Sequence, residues 1–361
     1  MAQTFLIAAG GTAGHVVPAL AVADTLRADG ARVVFAGGER AEAELVPQAG
    51  YELRTLAVEG LSRTNPLKAA RAALKAAGAA GAARRILREI RPDAVLGGGG
   101  YVAGPVGAAA VLRRVPLVLT EADSHLGLAN RLLAPFARRV CLAFALEGRD
   151  GERYRVTGRP VPPPCTDRPA ARAAFGLAAE ETCVLVFGGS LGARSVNEAA
   201  VRGLARAPFR VLHACGARDF DALRAELGDP PPPGYDLRPF IRPFGPALAA
   251  ADLVVARSGG SIFEIAAHGR PAILVPYPYA AADHQASNAR WMADGGAAVV
   301  VPDAALTAPR LREEVDRLLG EPDRLTAMAR ASAALACPDA ARAVADELRA
   351  AAGGAATGAR G

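Results

Sequence analysis

Short runs of apolar residues alternate with longer helical stretches along most of the chain. In the first half, five apolar runs have the length and the residue types of buried strands. These five predicted strands are Phe5–Ala9, Arg32–Ala36, Ala94–Leu96, Leu117–Thr120 and Val140–Phe144. Strands that alternate with helices in this way form βαβ units, so the pattern predicts a parallel sheet.

The alternation restarts after a proline-rich connection at residues 159–164. The predicted strands of this second half are Cys183–Phe187, Arg210–His213, Leu253–Ala256, Ala272–Val275 and Ala297–Val301. The two halves also open alike, because residues 6–14 and 185–192 each form a strand followed by the pattern GG[T/S]xG. We therefore predict an α/β protein of two Rossmann-like domains that face each other across a cleft, with ligands beyond the carboxyl ends of the strands.

The domain boundary is expected at the proline-rich connection. We predict an N-terminal domain at residues 1–161 and a C-terminal domain at residues 162–340. A last helix is predicted at residues 341–352, and residues 353–361 are expected to form a disordered tail.

One uncharged stretch, residues 94–112, is long enough to raise the question of a transmembrane helix. It contains six glycines and Pro105, and it lies inside the alternation of strands and helices. We interpret it as a strand, a loop and a helix. The N-terminus has only a short apolar run and no basic residues before it, so a cleaved signal peptide is not expected.

Composition narrows the class of protein only slightly. The 361 residues are 51% apolar and 22% charged, which is typical of a globular protein with two domains. The net charge is +6, but only 5% of the residues are aromatic and no nucleic-acid motif is present, so no nucleic-acid partner is expected. The five cysteines are widely spaced without a CxxC pair, which fits a reducing cytosol.

Three glycine-rich loops at predicted strand ends carry the candidate chemistry. They are residues 10–15, 97–101 and 188–194. After the first loop a helix is predicted to begin near Val16, with Pro18 in its first turn. Glycine amides and a helix N-terminus can hold a phosphate, and three such loops indicate two diphosphate-bearing ligands, although any single loop also fits a tight turn. The chain has neither GxGxxG nor GxxxxGK[ST], which disfavours NAD and ATP.

His15 ends the first glycine loop and is the candidate general base. A neutral imidazole can accept the proton of a sugar hydroxyl at cytosolic pH. Packing of the loop, or a hydrogen bond to the ligand, is the alternative interpretation of this residue.

In the second half, the stretch from Ala251 to Glu264 reads as a strand, a glycine turn and a helix whose first amides could bind a diphosphate. Glu264 could accept two hydrogen bonds from a ribose diol, or it is simply a first-turn glutamate favoured by the helix dipole. Asp219 and Asp221 resemble a metal-binding DxD pair but are interpreted as the beginning of a helix. No cofactor and no essential bound metal are expected.

Several motifs, taken in order, resemble the MurG family of UDP-N-acetylglucosamine transferases. They are GGTAGHVVPALAVAD, PDAVLGGGGYVAGP, LGLANRLLAPFARRV, FGGSLGARSVNEA, the Phe240-Ile241 pair, ADLVVARSGGSIFEIAAHGRPAILVPYP and DHQASNA. The resemblance covers nearly the whole chain. It implies the two-domain GT-B architecture and transfer of N-acetylglucosamine to a muramyl-peptide carried on undecaprenyl diphosphate.

The resemblance also implies roles for individual residues. It places the acceptor diphosphate and the reacting centre at Thr12, Gly14 and His15. It places uracil at the backbone of Ile241 and the ribose at Glu264. The donor diphosphate is placed at residues 259–262 and Ser190, and N-acetylglucosamine at His284 and Gln285. The implied substrate-binding residues, beside the catalytic His15, are Thr12, Ala13, Gly14, Gly99, Tyr101, Asp123, Asn130, Arg159, Ser190, Ile241, Gly259, Gly260, Ser261, Ile262, Glu264, His284 and Gln285.

The chain departs from the family's commonest pattern at a few positions. Asp123 ends the sequence TEAD where HEQN is frequent, and Leu191 replaces a usual glutamine. Pro162 falls where an arginine is common, and Arg159 is the candidate substitute for that arginine.

The implied reaction is a direct displacement that inverts the anomeric centre, at the cytoplasmic face of the cell membrane. Residues 1–160 carry 21 basic and 14 acidic side chains, and Lys68, Arg71 and Lys75 fall on one face of a predicted helix, so this helix is the candidate contact with anionic lipid. Its leucines could instead belong to the core. The alternatives left open for the function are a transferase acting on diacylglycerol, a UDP-sugar epimerase and a non-catalytic nucleotide-binding module.

Overall fold

The computed structural model describes residues 2–56, 66–189, 192–280 and 283–358. The chain divides into two units. The first comprises Met1–Pro162 with Cys337–Gly361, and the second comprises Pro163–Ala336. The division falls one residue after the predicted boundary, and the second unit ends four residues before residue 340.

The first unit contains a parallel sheet of seven strands in the order β3-β2-β1-β4-β5-β6-β7. Its strands are β1 (Thr4–Ala8), β2 (Arg32–Gly37), β3 (Glu52–Thr55), β4 (Ala94–Gly97), β5 (Leu117–Glu121), β6 (Arg139–Leu142) and β7 (Tyr154–Val156). Its helices are α1 (Ala13–Ala28), α2 (Ala41–Gln48), α3 (Pro66–Ile90), α4 (Ala103–Leu112) and α5 (Leu128–Leu133), with α14 (Ala340–Gly358) from the end of the chain.

The first sheet is buried on both faces, as a parallel sheet with crossover helices requires. Phe5 and Ile7 of β1 point into one core with α1 and α14, while Leu6 and Ala8 point into the other core with α3 and α4. All four side chains are fully buried. This alternation explains why β1 reads as a continuous apolar run in the sequence.

The second unit repeats the design with six parallel strands in the order β10-β9-β8-β11-β12-β13. Its strands are β8 (Cys183–Phe187), β9 (Arg210–Ala214), β10 (Tyr235–Arg238), β11 (Leu253–Ala256), β12 (Ala272–Leu274) and β13 (Ala298–Val300). Its helices are α6 (Arg168–Ala174), α7 (Arg194–Leu204), α8 (Ala217–Leu227), α9 (Gly245–Ala250), α10 (Ile262–Ala267), α11 (His284–Asp294), α12 (Ala308–Leu319) and α13 (Pro322–Ala334). The prediction of two Rossmann-like α/β domains is confirmed.

All ten predicted strands are present, within one or two residues at each end, but three further strands were missed. These are β3, β7 and β10, and each lies at the edge of its sheet. An edge strand is covered less completely, so its sequence need not be apolar, and the sequences ELRT, YRV and YDLR give no apolar run. No helix in the part of the chain that the structure describes has the length and apolar content needed to cross a membrane.

The C-terminal helix α14 packs on the sheet of the first unit. Val344, Leu348 and Ala352 are buried in the same core as α1. The helix extends to Gly358, past Ala352 where the sequence predicted its end, since the alanines around the two glycines favour helix. Among its polar residues, Glu347 is buried.

Glu347 fixes this helix to the sheet through two arginines. Its carboxylate accepts from Nε of Arg139 on β6 at 2.7 Å and from an amino group of Arg155 on β7 at 2.5 Å. Burial opposes ionisation of Glu347, but the two guanidinium groups outweigh that effect and lower its pKa. The ion pairs of this buried carboxylate therefore connect the last helix to strands more than 190 residues earlier.

Replacing Glu347 with glutamine should loosen α14 and lower the free energy of unfolding by about 1 to 3 kcal/mol, because both arginines lose a charged acceptor. Since the pKa of Glu347 is lowered in the folded state, its contribution is present at neutral pH and is lost as the pH falls through that lowered value. Urea unfolding at neutral and acidic pH measures both effects. Asp346→Asn, at an exposed neighbour, is the control, and equal unfolding midpoints for both variants at neutral pH would contradict the assignment.

Candidate functional site

The turn between β1 and α1 places His15 in the first turn of a helix. Helix α1 begins at Ala13, three residues before the predicted start, with Thr12 as its extended N-cap residue. The amide of His15 donates to the carbonyl of Thr12 at 3.0 Å, and the hydroxyl of Thr12 lies 3.4 Å from Nδ1 of the imidazole. Because His15 belongs to the helix, the helix backbone fixes the direction in which its side chain leaves the chain.

Pro18 leaves the carbonyl of Gly14 without its helical hydrogen-bond donor. In a helix the amide of residue 18 would donate to the carbonyl of Gly14, but proline has no amide hydrogen. The guanidinium of Arg159 donates to this carbonyl instead. The carbonyl of Gly14, which has no helical donor, therefore holds the nearly buried guanidinium of Arg159 beside His15.

The second glycine loop packs directly on the first. A Cβ atom at Gly100 would lie 1.9 Å from the carbonyl oxygen of Gly10, and one at Gly99 would lie 2.7 Å from Cδ2 of His15. Both glycines also have positive φ angles, +98° at Gly99 and +77° at Gly100. Only glycine fits these two positions without strain, so the imidazole of His15 packs against backbone atoms of the second loop.

These elements line a pocket at the carboxyl ends of β1, β4 and β5. Six residues that the sequence singled out line it. They are Gly14, His15, Gly99, Asp123, Asn130 and Arg159. Pro18, Thr120, Glu121 and Leu128 also contribute to its wall. The structure thus brings the catalytic candidate and five substrate-binding candidates together within the first unit.

Glu121, at the end of β5, shapes the loop that forms one wall of this pocket. Its carboxylate accepts from the amides of Asp123 at 3.1 Å and Gly127 at 2.8 Å. It also accepts from the side-chain amide of Asn130 at 2.9 Å, and the same amide donates to the carbonyl of Thr120. Asn130 therefore helps to hold the loop as well as lining the pocket.

Tyr101 is placed differently from the other candidates of its loop. Its hydroxyl donates to Oε1 of Glu42 at 2.6 Å, and the residue does not line the described pocket. Burial, followed by the hydrogen bond to Glu42, raises the pKa of Tyr101 to about 12. Tyr101 therefore holds the second glycine loop in place through Glu42. Thr12 and Ala13 also lie next to the pocket wall rather than in it.

The pKa of His15 is lowered from its ordinary value. Burial is the largest cause, and the positive charge of Arg159 adds to it. The negative charges of Asp123 and Glu42 act in the opposite direction. The net effect keeps the imidazole neutral at neutral pH, which is the form that can accept a proton.

In the second unit, the turn after β11 is joined to α11. The hydroxyl of Ser258 donates to the carbonyl of Gln285 at 2.7 Å, and the side-chain amide of Asn288 donates to the carbonyl of Ser258 at 2.9 Å. The backbone amide of Tyr277 donates to the side-chain oxygen of Gln285 at 3.0 Å. A Cβ atom at Gly259 would lie 3.9 Å from Nε2 of Gln285, so the structure brings these two candidates together.

The glycine turn itself leads directly into α10. Gly259, Gly260 and Ser261 form the turn, and the helix begins at Ile262. The amide of Ile262 donates to the carbonyl of Gly259 at 3.2 Å. Glu264 lies in the first turn of this helix and is half-buried.

The remaining candidates of the second unit lie at other strand ends. Ile241 is buried in the connection between β10 and α9. His284 is the first residue of α11, which follows β12. Ser190 and Leu191 lie outside the described residues. The structure therefore gives geometry for the turn at Gly259 and for Gln285, but not for the hydroxyl of Ser190.

The DxD pair lies in helix α8, as the sequence indicated. Asp219 is in the first turn of this helix, where it accepts from Arg218 and from the side-chain amide of Asn197 at 3.0 Å. In the ranges that the structure describes, no group of three or more His, Cys, Asp or Glu side chains could hold a metal ion.

Two carboxylates that organise the first site were not among the candidates. Glu121 lies at the carboxyl end of a central strand, and Glu42 lies in the first turn of α2, four residues after the glycine pair Gly37–Gly38. Acidic residues at these places are a signal for loops whose amides need acceptors. The sequence alone does not say which amides they bind, because the donors come from other strands.

Comparisons with known proteins point to one family. The model of the glycosyltransferase family 28 N-terminal domain matches residues 5–142, and that of the C-terminal domain matches residues 183–344. The UDP-N-acetylglucosamine–N-acetylmuramyl-(pentapeptide) pyrophosphoryl-undecaprenol N-acetylglucosamine transferase of Aeromonas hydrophila is 42% identical over 315 residues, which cover 86% of each chain. The enzyme with the same name from Moorella thermoacetica is 42% identical over 331 residues, 86% of this chain and 88% of that one.

Solved structures agree with this result. The crystal structure of Acinetobacter baumannii MurG is 31% identical with a TM-score of 0.75, covering 97% of this chain and 99% of that chain. A UDP-GlcNAc 2-epimerase from Neisseria meningitidis is 12% identical with a TM-score of 0.68, covering 96% and 99%, and shows a shared fold only.

Two substitutions beside His15 should move its pKa in opposite directions. Arg159→Met removes a positive charge and should raise the pKa, whereas Asp123→Asn removes a negative charge and should lower it. An NMR titration of the histidine ring signals, assigned by His15→Gln, measures the pKa in each protein. Arg138→Met, at an exposed arginine of the same unit, is the control. Shifts of the same sign in the two pocket variants would contradict the electrostatic account.

Proposed function

The chain belongs to glycosyltransferase family 28, and we propose that it is the member that transfers N-acetylglucosamine from UDP-N-acetylglucosamine to lipid-linked N-acetylmuramyl-pentapeptide in peptidoglycan synthesis. The observation that carries this proposal is the 42% identity, over 86% of the chain, with transferases that bear this name. The His15 imidazole in the described pocket supports the proposal, because such a transfer needs a base for the acceptor hydroxyl.

The proposed reaction is a single displacement. The C4 hydroxyl of the muramyl sugar attacks the anomeric carbon of UDP-N-acetylglucosamine, and the bond from that carbon to the UDP oxygen breaks. Nε2 or Nδ1 of His15 takes the hydroxyl proton, and UDP leaves with the bonding electrons. Attack from the face opposite the leaving group inverts the anomeric centre and gives a β-linkage.

The acceptor side is assigned to the first unit. Arg159, held by the carbonyl of Gly14, supplies a positive charge for the acceptor diphosphate, and the N-terminal end of α1 adds the favourable end of its dipole. Thr12, Ala13 and Gly99 surround His15 from the two glycine loops. The lowered pKa of His15 suits a residue that must be neutral before it accepts a proton.

The donor side is assigned to the second unit. The turn at Gly259, Gly260, Ser261 and Ile262 would meet the diphosphate, with Ser190 from the third glycine loop as a further phosphate contact. Glu264 would accept hydrogen bonds from the ribose, and the backbone of Ile241 would hold uracil. His284 and Gln285 would bind N-acetylglucosamine, and the contact of Gln285 with the glycine turn supports this grouping.

The same proposal includes docking on the cytoplasmic face of the membrane, because the acceptor is anchored in lipid. The side chains of Lys68, Arg71 and Lys75 lie outside the described residues, but a second surface of the first unit is described. The α4–α5 apolar surface consists of the exposed side chains Leu112, Leu128, Leu132 and Phe136.

Three features of the α4–α5 apolar surface suit a contact with an anionic bilayer beside the His15 pocket. Leu133 packs inward against Gly107 of α4, whereas Leu132 and Phe136 remain 63% and 64% exposed. Leu128 belongs to both this surface and the wall of the His15 pocket. The exposed arginines around it are Arg113, Arg114, Arg131 and Arg138.

The assay that tests the proposed function uses radiolabelled UDP-N-acetylglucosamine with the lipid-linked muramyl-peptide, with diacylglycerol, or with no acceptor. Label should move only to the muramyl lipid. In the same assay His15→Ala should lower kcat by about a hundredfold or more, while UDP affinity measured by calorimetry stays within about twofold. Transfer to diacylglycerol alone, or release of label without acceptor, would replace the proposal with one of the rival activities.

Glu264→Ala should raise the KM for the UDP-sugar by about tenfold or more, which corresponds to about 1.5 to 3 kcal/mol for lost charge-assisted hydrogen bonds. The KM for the lipid acceptor should not change. Calorimetry with UDP checks binding directly, and Asp294→Ala, at an exposed acid in α11, is the control. Unchanged UDP affinity in Glu264→Ala would remove the ribose assignment.

Replacing both Leu132 and Phe136 with aspartate should reduce sedimentation of the protein with phosphatidylglycerol vesicles by about tenfold, because two apolar contacts become repelled charges. Val156→Asp is the matched control, since Val156 is 56% exposed in the same unit and lies on β7. Equal sedimentation of the double variant and wild type would exclude the α4–α5 apolar surface as the membrane contact.

A further inference from the structure

Glu42 is a buried carboxylate that makes none of the proposed substrate contacts. It lies in the first turn of α2 and has no exposed surface. Its Oε2 accepts from the amide of Gly11 at 2.8 Å, and its Oε1 accepts from the amide of Gly38 at 2.9 Å and from the hydroxyl of Tyr101 at 2.6 Å. One side chain thus satisfies donors from three different loops.

The surroundings leave this carboxylate little freedom. A Cβ atom at Gly10 would lie 2.7 Å from Oε1 of Glu42, and one at Gly38 would lie 1.9 Å from the hydroxyl oxygen of Tyr101. Burial alone would raise the pKa of Glu42, but the Tyr101 hydroxyl and the backbone amides outweigh it and lower the pKa. The group is therefore an ionised acceptor at neutral pH, fixed in one position.

The three loops follow β1, β2 and β4, which are neighbours in the sheet. Gly11 immediately precedes Thr12, the N-cap of the helix that carries His15. Tyr101 ends the second glycine loop, on whose backbone the imidazole rests. Glu42 itself does not line the described pocket, so it acts on His15 through these loops and through its negative charge, which opposes the lowering of the His15 pKa.

We propose that Glu42 is a positioning residue for the transfer reaction, which holds the first glycine loop and the second in register and so fixes the direction of the His15 imidazole. This inference rests on the proposed function, because it concerns the rate of that reaction. It differs from a purely structural role, since it predicts a loss in the reaction step with no loss in donor binding.

The test compares kinetic constants of Glu42→Gln with those of wild type. Glutamine has the same size, but its NH₂ group must face the amide of Gly11 or that of Gly38, so at least one donor loses its acceptor. We expect kcat to fall by about tenfold to a hundredfold, the cost of a small misplacement of reacting groups, while the KM for UDP-N-acetylglucosamine stays within about twofold. Glu44→Gln, on the exposed side of the same helix, should keep wild-type constants.

Circular dichroism and thermal unfolding establish that Glu42→Gln is folded at the assay temperature. If it is not, Tyr101→Phe removes one of the three donors and leaves the two amides, and the same fall in kcat without a change in donor KM is expected. A folded variant with wild-type kcat, or an equal loss in kcat and donor affinity, would overturn the inference. Absence of transfer by the wild type itself would instead contradict the proposed function.

Discussion

The close approach of two glycine loops is the constraint on which the first site depends. A side chain at position 100 would collide with the carbonyl of Gly10, and one at position 99 would collide with His15. When two loops pack backbone against backbone, their buried amides need hydrogen-bond acceptors from other parts of the protein. Glu42 supplies an acceptor for the first loop, and Glu121 supplies acceptors for the loop after β5. The carboxylates stabilise a wall that glycine alone would leave free to move.

Charge around His15 is balanced by the same elements that build the wall. Pro18 removes one helical hydrogen bond, and the carbonyl of Gly14 that loses its donor anchors Arg159. Burial and then Arg159 lower the pKa of His15, whereas Asp123 acts in the opposite direction. A neutral imidazole next to a fixed cation suits a base that works beside an anionic acceptor.

The sequence predicted the parts of the fold whose signal is local. Central strands such as β8 and β11 are continuous apolar runs, and their predicted bounds match the structure. Edge strands such as β3 carry no such run and were missed. In the site, the glycine loops and His15 were recognisable, but the partners of Glu42 and Tyr101 were not, because their hydrogen bonds join residues 59 positions apart. Contacts of that kind depend on the order of strands in the sheet.

The inferred coupling between the buried Glu42 carboxylate and the His15 imidazole is tested most directly by a double-mutant cycle. The transfer rate is measured for wild type, Glu42→Gln, His15→Ala and the double variant under saturating substrates. If Glu42 acts only by directing His15, the double variant should be no slower than His15→Ala alone. Losses that multiply, so that the double variant is slower than His15→Ala by the full factor seen for Glu42→Gln, would contradict the account.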